Sequence, residues 1–164
     1  MTALLSADVI AKIVTSQAIN GTLDTIVAAI NVRAPVQFTP CSGSGQISVY
    51  WASQRTLTAS STETLDLTAL TDSLGNTITF ATIKAILIDA ADANTNDVVV
   101  GAAAATQFVG PLGGTATTIT NKPGAGFIIG SLTGWTVDST HKSLKIANSS
   151  SGTSVTYDII IVGN

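Results

Sequence analysis

The nine residues Ser154-Val-Thr-Tyr-Asp-Ile-Ile-Ile-Val162 decide how this chain is read. Successive side chains of an extended strand point to opposite faces. Val155, Tyr157, Ile159 and Ile161 therefore share one face, and Ser154, Thr156, Asp158, Ile160 and Val162 share the other. The first half of the stretch alternates apolar with polar, whereas its far end is apolar on both faces. Such a pattern describes a central strand that something covers on both sides at one end.

Upstream of this strand, from Pro35 onward, β-branched residues alternate with turn signals rich in Gly, Pro, Asn and Asp at 40–45, 72–76, 94–97, 111–114, 122–126, 133–134 and 148–152. The runs between them read as strands at 36–39, 46–52, 55–60, 63–68, 77–88, 97–101, 115–120, 126–129, 143–147 and 154–162, about ten in all. Short strands between frequent turns predict an all-β sandwich, jelly-roll-like, over residues 35–164. In 77–88 the apolar positions change phase, from Ile78 and Phe80 to Ile83, Ala85 and Leu87, which predicts a bulge or bend near Ala81 and Thr82. No fixed period appears, which argues against a solenoid or propeller.

Residues 1–34 read differently. Leu5, Val9 and Ile13 lie four apart, Ile10 and Val14 sit beside them, and Asp8 and Lys12 form an i,i+4 pair, so the spacing predicts an N-terminal arm with a short helix capped by Ser6. Beyond Gly21, Leu23, Ile26, Val27 and Ile30 fit a helix, while Ile26, Ala28, Ile30 and Val32 fit a strand equally well. Lacking a positive cluster, and carrying Asp8 and Lys12 within its apolar part, the segment does not read as a secretory signal.

Composition narrows the function. Of 164 residues 45% are hydrophobic and only 10% are charged, against about 25% in a typical soluble domain. Solubility falls instead to 25 Thr and 16 Ser, a quarter of the chain. A net charge of -3 with seven basic residues offers no field for nucleic acid, and no apolar run approaches the roughly 20 residues of a membrane helix. Cys41 has no second cysteine to bridge, and the single His141 leaves no zinc cluster.

Chemistry-bearing constellations are sparse. His141 lies in a polar turn without a Gly-x-Ser-x-Gly elbow, so no catalytic residue is assigned. Asp92, Asn94 and Asn96 copy half of a calcium loop, but its glycine and glutamate positions are Asp97 and Ala103, so no metal or cofactor is expected. Trp135, in the turn Thr133-Gly-Trp, reads first as core filler and second as a candidate for stacking on a sugar ring. Trp51 and Tyr50, adjacent in a strand, must face opposite ways, which makes one of them a surface contact. Outer strand positions rich in Ser, Thr, Ala and Gly carry little charge to desolvate, which suits permanent burial against other subunits. Leu5, Val9, Ile13, Ile26 and Ile30 of the arm are the first candidates for that contact.

Several stretches together carry a family likeness: Arg55-Thr-Leu-Thr-Ala-Ser, Thr64-Leu-Asp-Leu-Thr, Leu74-Gly-Asn-Thr-Ile-Thr-Phe-Ala-Thr-Ile-Lys-Ala-Ile-Leu-Ile, Asn94-Thr-Asn-Asp-Val-Val-Val-Gly, Lys122-Pro-Gly-Ala-Gly, Leu144-Lys-Ile-Ala-Asn and Val155-Thr-Tyr-Asp-Ile-Ile-Ile-Val-Gly. Over residues 55–163 the chain resembles small virion-associated β-sandwich proteins of tailed bacteriophages, of the head decoration or cement type. The resemblance implies a non-enzymatic virion structural protein on the capsid surface, made in the host bacterial cytoplasm. Its implied partners are the major capsid protein and other copies of itself, as a dimer or trimer. The alternative reading is a carbohydrate-binding module of a phage tail or fibre.

Overall fold

The computed structural model describes residues 5–20 and 25–164, the side chains of 16–30 excepted. Its strands are β1 (Ala7–Asn20), β2 (Thr25–Pro40), β3 (Gln46–Ile47), β4 (Val49–Leu57), β5 (Thr62–Asp66), β6 (Leu70–Thr71), β7 (Thr77–Ile78), β8 (Thr82–Ala90), β9 (Val98–Gly101), β10 (Thr118–Asn121), β11 (Gly126–Thr136), β12 (Ser143–Asn148) and β13 (Val155–Gly163). A 3-10 turn spans Gly110–Leu112. Among the described residues no helix is long and apolar enough to cross a membrane.

Two four-stranded antiparallel sheets form the body, one in the order β11-β8-β13-β4 and the other in the order β10-β9-β12-β5. Taking β4, β5, β8, β9, β10, β11, β12 and β13 as eight consecutive strands, the first, eighth, third and sixth share one sheet. The second, seventh, fourth and fifth share the other. That interleaving is the jelly roll, two Greek keys wrapped into a sandwich. Between the sheets lie Trp51, Ile83, Ile86, Ile88, Tyr157, Ile159 and Ile161 from one side and Leu65, Val98, Val100, Leu144 and Ile146 from the other. The decisive strand sits centrally, as its pattern requires: β13 is flanked by β8 and β4, and Val155, Tyr157, Ile159 and Ile161 are fully buried.

The expected N-terminal helix is not formed; residues 7–20 are β1, paired residue for residue with β2 from Ala7 opposite Phe38 to Asn20 opposite Thr25. The physical reason lies in the spacing itself. Leu5, Val9 and Ile13 are separated by four, which satisfies the helical period and equally keeps all three on one face of a strand. Val9, Ile10, Ile13, Val14 and Thr15 are β-branched and favour the extended chain, and the alternation of Ile26, Ala28, Ile30 and Val32 supplies a partner strand. The hairpin continues to Pro40, past the boundary expected at 34/35.

Two strand readings also change. The expected strands 46–52 and 55–60 are joined, since β4 runs unbroken through Ser53 and Gln54. The expected strand 77–88 is broken, with β7 and β8 separated where Ala81 and Thr82 both donate their amides to the Asn164 carbonyl. A further shift falls at Lys84: Gly163 pairs with Ile83 and the adjacent Val162 with Ala85, so β8 carries one extra residue. Ile86 and Ile88 therefore face the core, whereas Ala85 and Leu87 face outward. The buried Lys84 ammonium is satisfied by the carbonyls of Leu132 (3.1 Å) and Thr133 (2.6 Å), in the irregular part of β11.

Candidate interaction surface

The outer face of the β11-β8-β13-β4 sheet is organised in rows, each crossing all four strands. One row is Gly130, Ala85, Val162 and Tyr50; the next is Ile128, Leu87, Ile160 and Ala52; the third is Gly126, Asp89, Asp158 and Gln54. The foot of the β1-β2 hairpin covers the first row from Gly130 to Val162 and leaves Tyr50 exposed. Phe38 and Ile47 are buried against Ala85 and Val162, with Leu5, Ala7, Val9 and Val36 packed around them. The foot packs directly on Gly130, where Val9 and Val36 come to ordinary van der Waals distance, about 3.5 Å, of the point a Cβ would occupy.

The second row is uncovered. Ile160 is 43% exposed, Ile128 is also exposed, Leu87 is half-buried, and a largely apolar groove along Ala85, Leu87, Ile128 and Ile160 is walled at one end by Ala7, Asp8 and Val9 of the foot. The far end of the 154–162 pattern is thus covered at Val162 and open at Ile160. In the third row Asp89 and Asp158 stand directly opposite each other on neighbouring strands, two like charges in register. Gln54 donates to the Asp158 carboxylate at 3.0 Å.

Beyond its foot the hairpin stands clear of the body: residues 10–15 and 31–35 are exposed, Ile13 by 67% and Val32 by 58%. Antiparallel registry puts Ile10 opposite Pro35, Lys12 opposite Arg33 and Val14 opposite Asn31 on one face. Ala11 opposite Ala34 and Ile13 opposite Val32 occupy the other. An isolated two-stranded hairpin is at best marginally stable in water, so this arm presents backbone edges and apolar side chains to solvent without a third layer.

The sequence-derived contact residues divide accordingly. Leu5 and Val9 anchor the foot and Ile13 lies on the exposed shaft, while the side chains of Ile26 and Ile30 lie outside the described residues. Trp51 is buried, its indole donating to the Thr71 carbonyl at 2.9 Å, so it is core rather than contact; Tyr50, 58% exposed, is the outward member of the pair. The opposed Lys12/Arg33 and Asp89/Asp158 pairs were invisible before strand register was known. Ile160, by contrast, was signalled by the two-faced apolar end of its strand.

At the opposite end of β11, half-buried Trp135 lines an open hollow of about 530 Å³ with Val109, Gly110, Gly113, Gly134, Thr136, Asp138 and His141. His141 Nδ1 is 3.1 Å from Asp138 Oδ1 and 3.0 Å from Thr140 Oγ1. A nucleophile, base and acid relay needs the acid on one ring nitrogen and the nucleophile on the other; here both groups address Nδ1. The Thr140 hydroxyl and backbone amide, with a smaller contribution from His141, hold the Asp138 carboxyl down at about 2. This is a turn clamp. The partial calcium loop is likewise engaged: Asn94 pairs through its amide with the Thr156 backbone, Asn96 donates to Asn148 and the Thr153 carbonyl, and Asp97 binds Lys122 at 2.7 Å. Among the described residues no group of three His, Cys, Asp or Glu side chains could hold a metal.

Inside the sandwich, Glu63 of β5 accepts from the Tyr157 hydroxyl of β13 and from Arg55 of β4, whose Nε lies at 3.0 Å. Burial, followed by the Glu63 hydrogen bond, pushes the Tyr157 phenol well above its ordinary range, and the same carboxylate raises Arg55. The trio ties the two sheets together at one end. No protein-family model, curated protein or solved structure matches the chain, so residues and geometry alone carry the argument for its role.

Proposed function

We propose that this protein is a structural component of a bacteriophage virion, a decoration or cement protein that stabilises the head by bridging capsid subunits. The observation that carries this reading is the projecting hairpin, whose shaft bears Ile13, Val14 and Val32, each more than half exposed among the described residues. Hydrophobic groups held out on an exposed arm gain their stabilisation only on assembly. The low charge of the exterior keeps the desolvation cost of such an interface small. The jelly roll agrees as analogy, since viral capsid domains use it, though lectin domains do so as well.

The test is uptake by particles. Phage particles grown without the protein should take up the purified full chain, seen as added density on the shell by cryo-electron microscopy, and the Ile13→Asp, Val32→Asp double variant should bind far less. Density confined to the tail, or no uptake by the particles, overturns the assignment. A second reading, a tail or fibre module that binds carbohydrate, draws on the hollow beside Trp135. It requires glycan-array binding that disappears in Trp135→Ala.

A further inference from the structure

We infer that the arm of one copy docks on the outer sheet face of a second copy, laying Lys12 and Arg33 over Asp89 and Asp158. This deepens the reading of the arm as an assembly element and rests on it, but names the partner surface as this chain's own.

The argument begins with two unfavourable pairings. Like charges directly opposite on adjacent strands are destabilising, yet the register places Lys12 against Arg33 on the arm and Asp89 against Asp158 on the sheet. None of the four joins an ion pair among the described residues. In a chain with 10% charged residues, two such coincidences of opposite sign form a complementary set. A cationic pair brought onto an anionic pair relieves both repulsions at once.

Spacing makes the match specific. On one face of the arm an apolar pair, Ile10 with Pro35, is followed two residues on by the cationic pair. On the sheet an apolar row, Leu87 with Ile160 and Ile128, is followed two residues on by the acidic pair. Two residues of strand are about 7 Å on either surface. A hairpin laid on the sheet can therefore seat Ile10 and Pro35 on the open apolar row while its charges reach the acidic row. The chain's own arm does not fill this seat, because its foot occupies the adjacent row and its shaft is exposed from Ile10 onward. A neighbour's arm can. Each copy offers one arm and one seat, and reciprocal exchange of arms between two copies fills both seats in a closed twofold dimer, the smallest such form.

Two variants test this by analytical ultracentrifugation at tens of micromolar. The wild type should sediment as a closed oligomer. K12E/R33E and D89K/D158K should each be at least tenfold weaker in self-association, since each pairs like charges across the contact. Mixed in equal amounts they should regain association as a mixed oligomer, because each arm then meets a seat of opposite sign. Monomeric wild type, undiminished association of either variant, or a mixture that stays apart would each overturn the inference. Should a variant not fold, a Cys41→Ser chain carrying Ile10→Cys and Ile160→Cys decides instead: intermolecular disulfides on oxidation support the seat, and their absence overturns it. Self-association without uptake by particles would leave this inference standing and remove the proposed function; uptake by a chain that stays monomeric would do the reverse.

Discussion

The sandwich body and the hairpin arm are built from the same residue types and end in opposite states. In the body, Ile83, Ile86, Ile88, Ile159 and Ile161 are sealed between two sheets. In the arm, Ile13, Val14 and Val32 occupy equally regular strand positions and stand in water. What differs is the number of layers: eight strands closing as a jelly roll supply both sides of a core, whereas two strands supply one side and leave the other to be found elsewhere. Burial is a property of the architecture around a residue. The body should therefore carry the stability of the chain and the arm its associations.

The largest expected effect falls in the body. Phe80, in the break between β7 and β8, is 1% exposed and packs in the main core. Phe80→Ala should cost about 3–5 kcal/mol, the range for removing a buried ring and leaving a cavity. Denaturant unfolding at fixed low protein concentration measures it. A loss below about 1 kcal/mol would mean that the sandwich is not the cooperative unit.

A smaller loss should follow at the bond between sheets. Glu63→Ala leaves the buried Tyr157 hydroxyl without its acceptor, a penalty of about 1–3 kcal/mol. Tyr157→Phe removes the group that needs the acceptor and should cost less. In the Tyr157→Phe background the Glu63→Ala change should then lose most of its effect. Equal costs in both backgrounds would show that the hydroxyl is not the coupled partner.

Much of this contrast was legible in the residues. The alternation in 154–162 fixed a central strand, and turn signals located most strand ends, because periodicity and Gly/Pro chemistry are local properties. The hairpin was hidden behind an ambiguity of spacing, since Leu5, Val9 and Ile13 fit both periods and only pairing with residues 25–40 resolves them. The outward turn of Ala85 and Leu87 was hidden because the bulge sits at Lys84, a residue whose burial depends on carbonyls nearly fifty positions away. The surface itself was half visible. Tyr50 or Trp51 had to face out, and the two-faced end of β13 had to be covered, but the opposed charge pairs exist only once register is set.

Acid should weaken the body modestly. Hydrogen bonds from Lys142 and Thr68 hold the Asp66 carboxyl at about 2, against roughly 3.9 in an unfolded chain. A carboxyl whose pKa is lowered by folding stabilises the fold above its unfolded value, so this contribution is whole above about pH 5 and fades as pH falls toward 2. The Lys142 to Asp66 bridge is partly open to solvent, at 33% and 39% exposure, which limits its worth to under about 1 kcal/mol. Asp66→Asn should flatten that part of the pH dependence, measured by unfolding between pH 5 and 2. An unchanged slope would remove Asp66 from the acid response.

The smallest effect is the most telling, because it is expected to vanish in one condition and appear in another. Val14 is 57% exposed on the docking face of the shaft, with no core around it to lose, so Val14→Ser should leave the unfolding free energy of dilute protein within about 0.5 kcal/mol. Association adds stability by mass action, through RT ln(1 + [L]/Kd), and only to a chain that can associate. The melting temperature of the wild type should therefore rise between sub-micromolar and hundred-micromolar protein, while that of Val14→Ser rises less. If Val14→Ser is destabilised at high dilution, the arm is part of the body and the division between the two regions fails. If both melting temperatures are independent of concentration, the exposed apolar shaft has no partner in another copy.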